Sequence, residues 1–290
     1  MFKLFITLTN SFIIFSVSAL FAQSPISPFL QGKNKKSFVV SYYGDSYNRF
    51  FLEKNANMKT FSNVTTTSIS FFSTIGLSDH VDLQLNLPYV KAKGVVTKEI
   101  ADNLGYTNEA KGIQDFSFFF KYNLKKFSFK KSTLQLLGAS GLSFPLGNYK
   151  LNDQYESAVS IGSRSIQLNN LFVVNYKWHF GLFAIGTAGY SIKGNHVPDA
   201  AITEFKIGYA GNRVYFDVFA ARQSSNKSEA GASALNESTF QLSNINYSRI
   251  GANIYVPIIK KVGVAAGYNK YISGLSKGIE GGYGALILNL

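Results

Sequence analysis

The chain has no cysteine, one tryptophan, two methionines and six prolines in 290 residues. Without cysteine there is no disulfide framework, no thiolate metal site and no lipoprotein anchor. Beyond the N-terminus no segment approaches ~18 unbroken apolar residues, so no transmembrane helix is expected there. Charged residues make up only 16%, yet Lys and Arg outnumber Asp and Glu by 29 to 16. These cations form no tract. They fall in connectors, such as Lys125, Lys126, Lys130, Lys131, Lys260 and Lys261 in short ones and Lys54, Lys59, Lys98 and Lys111 in long ones. That distribution points away from nucleic acid and toward a solvated rim that also meets lipid phosphates.

What the chain does have is a period of two. Segments of about ten residues, apolar at alternate positions, recur from Phe38 onward. In Val81-Asp82-Leu83-Gln84-Leu85-Asn86-Leu87 the apolar and polar side chains point to opposite faces. Phe116, Phe118, Phe120 and Tyr122 repeat the pattern opposite Asp115, Ser117, Lys121 and Asn123. Further strands are expected near 37–43, 63–75, 133–144, 165–177, 246–258, 262–271 and 280–290, with others around Ile185, Phe205 and Val214. Connectors alternate short and long. Residues 44–62, 90–112, 147–163 and 223–241 read as long loops, whereas 76–79 and 211–212 read as tight turns.

The N-terminus reads as a cleaved signal peptide over 1–22, with Lys3 before an apolar run and Ala22 at the cut. Residues 23–36, with Pro25 and Pro28, are expected to form a short periplasmic leader. Residues 37–290 are then one domain. The expected fold is all-β: an antiparallel up-and-down transmembrane β-barrel of about twelve strands in the outer membrane, with short turns in the periplasm. A soluble sandwich would alternate in the same way. Tyrosines near strand ends (Tyr89, Tyr122, Tyr176, Tyr209, Tyr268, Tyr271) and Trp178 favour the barrel, because aromatic girdles mark the lipid interface. So does a last strand whose apolar face persists to Leu290, where a soluble chain frays. A barrel needs that strand to close against the first.

Two segments resemble a known family. Ile75-Gly76-Leu77-Ser78-Asp79-His80-Val81-Asp82-Leu83 through Leu87-Pro88-Tyr89, and Gly112-Ile113-Gln114-Asp115-Phe116 leading to Lys121-Tyr122-Asn123-Leu124, are similar to the turn-and-strand signature of outer-membrane transporters of the MetA-pathway of phenol degradation family. The resemblance covers residues 62–124. Gln114 stands where that family often has glycine, and His80 where it often has arginine. It implies a β-barrel that moves small, often hydrophobic compounds. From the residues themselves, Gly76 and Asp79 suit a tight turn, and Pro88 belongs at a strand end or bulge because it has no N–H to donate.

If the apolar face meets lipid, the other face lines the lumen. The side chains expected there are Asp82, Gln84, Asn86, Asp115, Lys121, Asn123, Gln167, Asn169, Glu204, Lys206, Asp217 and Arg249. Acids and bases nearly balance, which argues against strong ion selectivity. Inward small residues such as Ala139, Gly141 and Ser143 should leave room. About eight strands give a filled interior and about sixteen a wide channel, so twelve permits either a narrow pore or a plugged barrel. Catalysis is not expected. His80 and His179 sit in short turns, His196 in a loop, and none has a serine in register. No phosphate loop or metal spacing occurs, so neither cofactor nor metal is expected. The expected function is passive transport of a small solute, apolar ones included. The alternative is a non-conducting surface scaffold, an adhesin, or a subunit of an envelope complex. Expected partners are outer-membrane lipid, lipopolysaccharide, the solute, and the barrel-assembly machinery during insertion, with no nucleic acid.

Overall fold

Period-two patterning becomes β-structure from Lys36 onward. In the computed structural model, residues 26–53, 56–93, 109–147, 161–162, 164–194, 197–225, 246–274 and 277–290 are described. Thirteen strand segments follow in chain order: β1 (Lys36–Glu53), β2 (Ala56–Gly76), β3 (Val81–Lys93), β4 (Glu109–Ile113), β5 (Asp115–Ser128), β6 (Ser132–Pro145), β7 (Gln167–Trp178), β8 (Leu182–Lys193), β9 (Ala200–Ala210), β10 (Tyr215–Ser225), β11 (Tyr247–Ile259), β12 (Val262–Gly274) and β13 (Glu280–Asn289). Both β4 and β5 pair with β3, one after the other, so they form a single barrel strand and the barrel has twelve strands. The break lies opposite Pro88. Proline offers no N–H, and the ladder gives way there, with Gln114 N donating to Pro88 O at 2.9 Å. Antiparallel pairing of β1 with β13, from Ser37↔Asn289 to Ser46↔Glu280, closes the sheet. Closure leaves no free edge around the barrel, the condition for crossing hydrocarbon with strands.

The outer surface carries exposed large apolar side chains, among them Phe71, Phe120, Phe172, Phe205, Ile207, Val218, Ile254 and Leu286. This is a lipid-facing belt. At the short-turn mouth the belt gives way to exposed cations: Lys33 and Lys35 before β1, Lys36 at its first position, Lys125, Lys126, Lys130 and Lys131 in the β5–β6 hairpin, Arg213 after β9, and Lys260 and Lys261 between β11 and β12.

Three features differ from the sequence expectation. The loop expected over 44–62 is a long hairpin. Pairing of β1 with β2 continues to Glu53↔Ala56, whereas β13 leaves β1 at Ser46 and β3 leaves β2 at Thr65, so the hairpin projects beyond its neighbours. The short periplasmic leader is also different in place: residues 26–31 lie inside the barrel. Finally, the interior is not polar throughout. Toward the short-turn end it is an apolar core that includes Val39, Phe72, Leu137, Val173, Phe183 and Ile287. The room expected beside Gly141 is occupied, because the ring of Phe119, directly opposite on β5, lies over that glycine. Phe219 over Gly251 and Tyr283 over Gly267 repeat the arrangement, an inward aromatic covering a bare backbone on the next strand.

Candidate lumen site

The leader enters from the short-turn mouth. A turn at 32–35, with Lys35 N bonded to Gly32 O at 3.2 Å, reverses the chain between the lumen and β1. It is pinned to the β2–β3 turn, where Asn34 N donates to Gly76 O and Gly76 N to Lys35 O, both at 2.9 Å. Side chains of the barrel wall satisfy much of the leader's backbone. Lys121 Nζ donates to Ser27 O at 3.0 Å and to Phe29 O, and Asn175 Nδ2 donates to Pro28 O at 3.1 Å. In the other direction, Gln31 N donates to Asp82 Oδ2 at 2.8 Å and Ser27 N to Gln84 Oε1 at 3.3 Å. A buried segment outside the ladder needs such partners. Ile26 and Phe29 supply the apolar part: both belong to the core, with Phe29 edge-on to Phe183 at 5.6 Å and to Tyr215 at 6.3 Å.

Across the lumen, β9 to β13 carry a buried polar ladder. Tyr283 Oη donates to Asn253 Oδ1 at 2.8 Å, and Asn253 Nδ2 to Asp217 Oδ1 at 2.7 Å. Tyr215 Oη reaches Asp217 Oδ2 at 2.5 Å. Lys206 Nζ stands 3.8 Å from both Asp217 and Glu204, with all three side chains buried. Arg249 completes the series. A bulge on β12 skips Ile272, so Arg249 pairs with Tyr271, and its guanidinium lies over the Tyr247 ring at 5.5 Å and the Tyr271 ring at 5.8 Å.

Above the leader, toward the long-loop end, is a cavity of about 260 Å³. Asn86, Ser117, Phe119, Gln167, Asn169, Ser191, Glu204, Tyr247 and Arg249 line it. At its edge Gln114 Nε2 donates to Ile161 O at 2.5 Å, tethering residue 161 to the β4–β5 break. The lining is mixed: amides and hydroxyls, two acids (Asp115 and Glu204), three bases (Lys193, Arg222 and Arg249) and two aromatic rings.

Of the twelve side chains expected to line the lumen, eleven divide among these three places. Asp82, Gln84 and Lys121 hold the leader. Lys206 and Asp217 belong to the ladder, and Glu204 and Arg249 to both ladder and cavity. Asn86, Asp115, Gln167 and Asn169 line the cavity. Asn123 is apart, at the short-turn mouth, accepting from Gln135 Nε2 at 3.2 Å and lying 3.4 Å from His80 Nδ1. Sequence reasoning missed the leader contacts, Phe119, and the tyrosines of the ladder. Apolar Ile26 and Phe29, spaced by Ser27 and Pro28, were the available signal. His80 and His179 are exposed in turns, His196 lies outside the described residues, and no cluster of metal-binding side chains occurs among the described residues.

No family model matches the chain, and no curated protein matches it in sequence. Solved structures do match. An outer-membrane channel from Pseudomonas putida F1 superposes with a TM-score of 0.69 at 10% identity, covering 89% of this chain and 96% of that one. The translocator domain of the autotransporter NalP from Neisseria meningitidis gives 0.47 at 9% identity over 89% and 88% of the two chains. Outer-membrane phospholipase A from Escherichia coli gives 0.42 at 10% identity over 90% and 98%. The first of these shows the fold: by architecture, this chain is a closed twelve-stranded outer-membrane β-barrel.

Proposed function

We propose that the barrel gives a small solute passive passage across the outer membrane, through the cavity and past the leader. The carrying observation is that the segment crossing the lumen on the short-turn side of the cavity is no part of the wall. Residues 26–31 pair with no strand, and side-chain hydrogen bonds, apolar packing of Ile26 and Phe29, and aromatic edges hold them. Such a segment can shift while the ladder stays closed. Buried charges along the lumen come in opposite pairs, Lys121 with Asp82 and Lys206 with Glu204 and Asp217, which disfavours strong selection for ions of one sign. A cavity of about 260 Å³ suits a single-ring compound. Phe119 and Tyr247 offer it apolar contact, and Asn86, Gln167 and Asn169 offer hydrogen bonds. The family resemblance over 62–124 supports including apolar compounds among the solutes. Planar-bilayer conductance and liposome swelling test the reading. Small discrete conductance steps, and swelling with single-ring solutes, are expected. Silence in both assays, for the native chain and for Phe119→Ala, overturns it.

The second reading is a scaffold or complex subunit. The observation favouring it is the projecting β1–β2 hairpin, which β13 leaves at Ser46 and β3 leaves at Thr65, giving strand edges of the kind extended peptides add to. Excising residues 48–61 should then abolish partner capture and leave conductance unchanged.

A further inference from the structure

The two ends of the barrel treat their outward cations differently. Toward the long-loop end, Glu109 lies 2.8 Å from Lys91, 3.5 Å from Lys93 and 3.6 Å from Lys111, and Glu280 lies 3.6 Å from Lys270. At the short-turn end, none of the four lysines in the β5–β6 hairpin has a carboxylate partner among the described residues. Four like charges within seven residues repel one another and attract an anion from elsewhere.

Local structure aims them at the membrane. A bulge at Leu124 resets the alternation of β5, so that Lys125 pairs with Leu136 and Phe127 with Leu134, both on the lipid side of β6. Phe127 and Phe129 are exposed, and Lys125 Nζ lies 5.9 Å over the Phe127 ring. The β7–β8 turn stands beside this tip: Ser132 pairs with Trp178, and His179 N donates to Lys131 O at 3.0 Å. Trp178 packs against Tyr176 at 4.7 Å and Phe180 at 6.4 Å, and Phe180 is itself exposed. Lysines therefore sit immediately beyond a bare aromatic patch at the lower edge of the belt. The β11–β12 turn has the same order, exposed Ile258 and Ile259 followed by Lys260 and Lys261. An arrangement repeated around the perimeter matches what surrounds the perimeter.

We propose that the β5–β6 hairpin tip, with the β7–β8 turn, is a binding site for anionic phospholipid of the leaflet around the short-turn mouth. Its lysines bind the phosphate, and Phe127, Phe129 and Trp178 rest among the upper acyl carbons. The site does not depend on whether the lumen conducts.

Trp178 is the chain's single tryptophan, so its fluorescence reports this place alone. The full chain is reconstituted into phosphatidylcholine vesicles in which either the phosphatidylcholine or an added phosphatidylglycerol carries dibrominated acyl chains. Brominated phosphatidylglycerol is expected to quench Trp178 more than brominated phosphatidylcholine at equal mole fraction. A relative binding constant of about three or more is expected, falling toward one in high salt. Lys125→Gln/Lys126→Gln/Lys130→Gln/Lys131→Gln, checked for a folded barrel by heat-modifiable mobility, should bring it to one at low salt. Equal quenching by both lipids, or none from either, overturns the proposal. Equal quenching together with a salt-sensitive shift of Trp178 emission by polyglutamate assigns the surface to an acidic protein instead.

Discussion

Lys121 Nζ lies 3.2 Å from Asp82 Oδ2, and both side chains are fully buried where the leader crosses the lumen. The pair is also the leader's main holding point, since Asp82 accepts from Gln31 N and Lys121 donates to two leader carbonyls. Lys121→Met leaves a buried carboxylate without its cation, a change that costs ~3–5 kcal/mol. Ladder bonds that close the barrel are untouched. The expected result is release of the leader rather than loss of the barrel: trypsin cuts at Lys33 or Lys35 much faster, while the heat-modifiable band shift persists. Lys121→Met/Asp82→Leu, which removes both charges, should recover much of the stability in guanidinium unfolding. A single variant as protease-resistant as the parent contradicts the holding role.

Gly76 holds the leader's base from the other side. A Cβ built there would overlap the carbonyl of Gly32, so the close approach of turn 32–35 depends on glycine. Gly76→Ala should displace that turn and weaken the two bonds from Asn34 N to Gly76 O and from Gly76 N to Lys35 O. Faster hydrogen exchange at the amides of Asn34 and Gly76 is the expected reading, with strand amides of β8 and β9 unchanged. Exchange altered equally everywhere would mean that the glycine serves the barrel and not the leader.

Strand rhythm made the barrel legible because one face must meet lipid over every membrane-crossing segment. Val81, Leu83 and Leu85 against Asp82, Gln84 and Asn86 state the register outright. The interior was legible only where it is polar. On β7, Leu171 and Val173 face inward between Asn169 and Asn175, while Phe172 and Val174 face lipid, so both faces are apolar and alternation carries no information there. The leader was hidden for a different reason. Its contacts reach wall residues 51 to 147 positions away, and no local pattern encodes that. The projecting hairpin looks like a loop over 44–62 in sequence because Asn, Lys and other polar residues interrupt its alternation, although backbone pairing continues to Glu53↔Ala56.

Lys206 sets the charge of the ladder wall. It lies between Glu204 and Asp217, 3.8 Å from each, with its ammonium 5.9 Å over the Phe219 ring. Lys206→Met keeps the apolar stem and removes the cation, leaving two carboxylates facing the lumen. If ions pass this wall, the reversal potential in a potassium chloride gradient should shift toward cation selectivity. Lys206→Arg should restore the parent value. An unchanged potential in Lys206→Met means that the ions take a route that avoids the ladder.

The lipid belt and the short-turn interface predict opposite outcomes for one substitution at two positions on β5. Phe120 is exposed beside Leu83 within the belt, whereas Phe127 is exposed in the lysine-rich tip beyond Asn123. An arginine at the middle of the bilayer costs ~2–4 kcal/mol in a transmembrane barrel, and near the interface only about 0–1 kcal/mol. Phe120→Arg should therefore destabilise the barrel severalfold more than Phe127→Arg when unfolding is measured in phospholipid vesicles. In short-chain detergent micelles the difference should shrink, because a micelle deforms around a charge that a bilayer must bury. Equal costs in vesicles would mean that Phe127 lies as deep as Phe120, and that the tip's lysines do not stand at the level of the phosphates.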